Sequence, residues 1–97
     1  MTGNDLNAWL AATKTDGGPR RQFVCPDGFK VSIQASPYHY CEPKDYDGPY
    51  VSVELGFPSA VVESLVPFAE NPDQPTDTIY GWVPIGVVAD VLTTHGA

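Results

Sequence analysis

The sequence predicts an α+β fold: a mainly antiparallel sheet of three or four strands, two helices packed on one face, and a short N-terminal helical arm. Three observations lead there. Phe29–Ala35, Tyr50–Gly56 and Thr78–Val83 are rich in β-branched and aromatic residues and alternate apolar with polar ones, as half-buried strands do. Two other runs, one opening at Pro58 and one at Ile85, repeat apolar residues at helical spacing. Between Phe23-Val24-Cys25 and Phe29–Ala35 stands Pro26-Asp27-Gly28, a tight-turn signal of hairpins and not of a βαβ crossover.

In chain order, Asn4 offers a polar cap before Leu6, Trp9 and Leu10, which share one helix face. Thr15-Asp16-Gly17-Gly18-Pro19 ends any such helix and reads as a hinge, so residues 1–18 are expected to form an arm and 19–97 the single domain. Phe23-Val24-Cys25 pairs across the turn with Phe29–Ala35, whose Phe29, Val31, Ile33 and Ala35 face inward. Ser36–Pro49 is a long loop holding Pro37, Pro43, Pro49, Tyr38, Tyr40, Tyr46 and His39. In the next strand Val51, Val53 and Leu55 are expected inside, with Tyr50, Ser52 and Glu54 outside. Pro58-Ser59 is expected to open a helix carrying Val61, Val62, Leu65 and Val66 and stopped by Pro67. Asn71–Thr76 is a proline-marked loop, Thr78–Val83 a strand with Tyr80 and Trp82 on one face, and Ile85–Thr94 a helix stopped by Gly96.

Charge is unevenly placed. From Asp45 onward the chain has eight carboxylates and no Lys or Arg, within a net charge of -7. Such a field repels nucleic acid and anionic membranes and attracts basic protein surfaces. A solubilising surface normally intersperses both signs, although charge kept for solubility alone would also look acidic. Eleven aromatics argue against a disordered chain, and no apolar run reaches the ~20 residues of a membrane span. With no basic-then-apolar leader, the expected location is the cytoplasm, here of a bacterial host.

Catalytic and cofactor motifs are missing: there is no Gly-x-Ser-x-Gly elbow, no phosphate-cradling loop and no convergent pair of carboxylates. Cys25 and Cys41 are too few for a disulfide scaffold and read as cytosolic thiols; with His39 and His95 they lack the paired spacings of a zinc site. No enzyme, metal or cofactor is expected.

Binding is the remaining class. Asp45, Asp47, Glu70, Asp73 and Asp77 lie in proline-bearing loops and Glu54 on a strand, placing carboxylates for Arg and Lys. Tyr46, Tyr50, Tyr80 and Trp82 supply the amphipathic area of interface anchors, unless Leu6, Trp9 and Leu10 fold over the same sheet face. The segments DGFKVSIQASPYHYCEPKDYDGPYVSVELGFPS, YGWVP and the closing HG carry a further signal. Over Phe29–Gly96 the chain resembles small acidic proteins encoded by bacteriophages and prophages. That resemblance implies an anti-CRISPR-like inhibitor of host defence, acting as a monomer or homodimer, whose carboxylates mimic DNA on the basic channel of a CRISPR effector or similar complex. Two alternatives are a small-ligand sequestering protein with its pocket at Pro37–Pro49, and a phage structural or assembly protein.

Overall fold

A computed structural model describes every residue from Met1 to Ala97. Strands β1 (Phe23–Val24), β2 (Lys30–Gln34), β3 (Ser52–Gly56) and β4 (Ile79–Pro84) form one antiparallel sheet in sequence order. Helices α1 (Gly3–Ala12) and α2 (Ile85–Thr94) pack on each other, and a 3-10 helix, Glu63–Phe68, lies beside β4. Register sets the core: Phe23 opposes Val31, Ile33 opposes Leu55, Val53 opposes Val83 and Leu55 opposes Tyr80, and all are buried. Leu65 and, from α2, Val88, Val91 and Leu92 join the same apolar cluster.

The expected N-terminal helix is present, and its apolar face belongs to the core. Thr2, and not Asn4, caps α1 in a capping box: Asp5 N–H donates to Thr2 Oγ1 at 3.1 Å and Thr2 N–H to Asp5 Oδ2 at 2.9 Å. Leu6 and Leu10, one turn apart, are 0% exposed, and Trp9 meets Phe23 edge-on at 5.2 Å. Asn7 then grips Tyr50 like a strand neighbour, donating to its carbonyl at 3.0 Å and accepting from its N–H at 2.7 Å. The glycines after α1 turn the chain back onto the core instead of releasing it.

The helix expected from Pro58 is also corrected. Ser59 N–H donates to Lys30 O at 2.8 Å and its Oγ accepts from Lys30 N–H at 2.9 Å, so this residue is committed to the start of β2. Val62 is extended, and only Glu63–Phe68 coils. Pro67 sits inside that turn, where its missing donor and ring exclude a longer α-helix.

Two inside/outside assignments invert. Val51, expected inside, is 66% exposed, while Tyr50, expected outside, is 4% exposed. The ladder begins only at Ser52; ahead of it Asn7 and Glu42 hold the backbone, so alternation does not extend back through Tyr50. In β4, Val53 opposes Val83 but Leu55 opposes Tyr80, so one extra residue bulges out of β4 opposite Glu54. Trp82 in this bulge has φ 50°, and it parts from Tyr80: Tyr80 is 0% exposed and Trp82 48%.

The turn and the C-terminal stop form as expected. Gly28 takes φ 94°, and Cys25 N–H donates to Phe29 O at 2.8 Å. Helix α2 closes in a Schellman motif, with Ala97 N–H on Leu92 O at 3.0 Å, Gly96 N–H on Thr93 O at 3.0 Å and Gly96 at φ 95°. His95 then stacks on Phe29 at 4.0 Å and shares a 2.7 Å hydrogen bond with Asp27, tying the chain end to the first hairpin.

These contacts fix an acid dependence. The backbone N–H of Thr2 holds the Asp5 carboxyl below its ordinary 3.8, and the backbone N–H of Phe29, then His95, does the same for Asp27. Their contribution is full above the unfolded value and is lost as pH falls through the lowered folded one. Glu54 has the opposite sign: burial, then Glu70, raises it above 4.5, so stability rises as falling pH protonates it. Burial, then Arg20, lowers His39 below its ordinary 6.5, so its contribution is lost as pH falls through the lowered folded value and opposes that of Glu54. The melting temperatures of the parent and of Glu54→Gln are therefore expected to differ by an amount that shrinks as pH falls toward 4.5, and a difference independent of pH would contradict the Glu54 assignment.

Candidate functional site

Glu54 projects from the sheet face opposite the core, and its side chain is only 12% exposed. The loop Ser36–Pro49 folds over this face: Tyr40 accepts from Trp82 N–H through its carbonyl at 3.0 Å, and its ring stacks on the Trp82 indole at 4.8 Å. Gly81 lies under the Tyr40 ring, where a Cβ would come into van der Waals contact with it, 3.4 Å from Tyr40 Cβ. Lys44 Nζ lies 5.7 Å from the Tyr40 ring centre and 6.0 Å from that of Trp82, a cation on two aromatic faces. Beside the pair runs a groove of about 440 Å³ walled by Phe68, Ile79 and Glu70.

The electrostatics are unfavourable by construction. Burial raises the Glu54 carboxyl, the neighbouring Glu70 raises it further, and Lys44 only partly offsets them. His39 Nε2 is 3.8 Å from Glu54 Oε2, too far for a hydrogen bond. Burial, then Arg20, lowers the His39 pKa, so the ring is neutral at pH 7 and gives Glu54 no counter-charge. Ser36 Oγ contacts His39 Nδ1 at 2.6 Å and accepts from Tyr38 N–H at 3.1 Å. Ser36, three residues back in the same turn, thereby fixes the ring.

The expected site residues separate into groups. Glu54, Glu70 and Trp82 meet on this face. Asp45, Tyr46 and Asp47 are exposed on the overlying loop, Asp47 paired with Lys14 at 2.6 Å. Asp73 and Asp77 are exposed on the turn between Glu70 and β4. Tyr50 and Tyr80 are core residues: burial raises both phenols, and the Tyr80 hydroxyl donates to Pro75 O. Tyr40 and Lys44 belong to the face although sequence reasoning did not select them; the tyrosine-rich run was the available signal for Tyr40.

Other chemistry has little footing. No three His, Cys, Asp or Glu side chains converge as metal ligands, and burial pushes the free thiols of Cys25 and Cys41 upward, away from the reactive thiolate. No helix is long and apolar enough to cross a membrane. Comparison with protein-family models, curated proteins and solved structures finds no match to this chain.

Proposed function

We propose that the chain is a non-enzymatic binding domain, an inhibitor of the phage type, that docks its acidic aromatic face on a Lys/Arg-lined surface of a host nucleic-acid-processing complex such as a CRISPR effector. The observation that carries this reading is Glu54: a largely buried carboxylate kept beside Glu70 without a matched cation, where a neutral residue would be more stable. Such a cost is retained where a site needs the charge. Trp82 supports the same reading, since a non-glycine residue at φ 50° is strained and here displays a half-exposed indole beside those acids. On docking, partner guanidinium groups supply the counter-charge and the Tyr40–Trp82 pair the apolar anchor. Like-charged copies of this face repel, which favours a foreign partner over self-association.

The reading is tested by titrating the labelled protein against purified CRISPR effector, restriction endonuclease and bacterial RNA polymerase, each with its channel empty or filled by nucleic acid. One of them is expected to bind when empty, to weaken by about tenfold or more between about 50 and about 300 mM salt, and to release the protein when filled. Binding indifferent to salt and to bound nucleic acid in all three would overturn it.

A further inference from the structure

Arg20 is the only buried basic residue of the chain, 8% exposed, and no carboxylate lies within ion-pair distance of it. Its Nε donates to Leu10 O at 3.1 Å and its Nη1 to Ala35 O at 2.6 Å, capping the last turn of α1 and the end of β2. Those bonds explain one side of the guanidinium. Nη2 has no protein hydrogen bond, yet the one sealed side-chain polar atom without a partner is Ser52 Oγ. Nη2 therefore reaches open space, and the space that Arg20 lines is a cavity of about 480 Å³ between Lys14–Pro19 and Gln34–His39.

The charge of this cavity is unusual for a chain of net charge -7. Its other charged lining groups, Lys14 and Asp47, pair at 2.6 Å and cancel, and His39 is neutral at pH 7. One guanidinium without a carboxylate partner remains, partly desolvated and held by two carbonyls beside the Tyr50 hydroxyl, and an anion there would complete its environment. A volume near 480 Å³ lies within the ~300–1,000 Å³ range of small-molecule sites.

We propose that this cavity binds a small organic carboxylate, with Arg20 as its anchor. The free Nη2 donor suits one carboxylate oxygen, whereas a phosphate's additional oxygens call for a larger set of converging donors. Neither Glu54, Glu70, Tyr40 nor Trp82 lines the cavity, so this site stands or falls independently of the acidic face.

Benzoate is the probe, with benzamide as its uncharged counterpart and inorganic phosphate as the other anion, each titrated into the full chain and followed by amide and side-chain NMR. A filled-cavity variant, Gly18→Leu, avoids disturbing Arg20: Gly18 lines the cavity, and a Cβ there would meet only Thr15 Oγ1, at 3.8 Å. Benzoate is expected to shift the Arg20, Ser36 and His39 resonances saturably, to bind at least about tenfold more tightly than benzamide, and to lose about tenfold or more in affinity in Gly18→Leu. The proposal is overturned if benzamide matches benzoate, if Gly18→Leu folds and binds benzoate as well as the parent does, or if phosphate saturates the site while benzoate does not.

Discussion

Replacing Leu6 by Ala is expected to cost about 3 kcal/mol, the middle of the range for truncating a buried leucine. Leu6 is fully buried and shares the core cluster with Leu10, Phe23 and the apolar residues of α2. The surrounding contacts leave little room to collapse: the capping box anchors the start of α1, Asn7 locks it to Tyr50, and Arg20 holds its last turn. Domains of this size have about 5–15 kcal/mol of stability in all, so one truncation consumes a large share. The midpoint of thermal unfolding, followed by circular dichroism, should fall by roughly 15 °C. If α1 were a detachable arm, the midpoint would shift by no more than about 3 °C.

Trp82→Gly is expected to separate binding from stability. Glycine accepts the φ of 50° that strains tryptophan, a relief of about 1–2 kcal/mol. Loss of the stack on Tyr40 costs about 0.5–1.5 kcal/mol, so the melting midpoint should stay within a few degrees of the parent. Affinity for the basic partner should nevertheless drop by about 2 kcal/mol, roughly 30-fold, as for an interface anchor. Trp82→Ala loses the stack and keeps the strain, and is expected to be the less stable of the two. A Trp82→Gly protein that binds as tightly as the parent would remove Trp82 from the docking face.

Much of the architecture was legible because local signals agreed with tertiary needs. Pro26-Asp27-Gly28 could only turn, Gly96 could only stop a helix, and Phe29–Ala35 had one face to bury. The signals misled where a residue was claimed by a distant partner. Ser59 has a helix-opening appearance but is hydrogen-bonded to Lys30, a pairing with no local trace. Leu6, Trp9 and Leu10 were read correctly as one helix face, but that the face packs into the core was not legible, because glycine permits a tight return as readily as a loose linker.

The candidate site was legible to the same extent. Charge asymmetry marked Glu54 and Glu70 as members of an unbalanced set, but alternation placed Tyr80 beside Trp82, and the bulge opposite Glu54 sends them to different environments. A bulge depends on which residue of the partner strand is opposed, and that register is not written in β4 alone. Arg20 offered no local signal: its burial follows from α1 ending and β2 ending at the same place, 10 and 15 residues away in the chain.

The most direct measurement is the paired effect of Glu54→Gln with Glu70→Gln on melting temperature and on affinity for whichever complex of the titration panel binds best. Neutralising two carboxylates whose proximity raises the Glu54 pKa should raise the melting midpoint by a few degrees, and it should weaken binding by about fivefold or more per charge at low salt while flattening the salt dependence. A double variant that is more stable and binds with unchanged affinity and unchanged salt dependence would contradict the account, leaving these acids as surface charge with no role in docking.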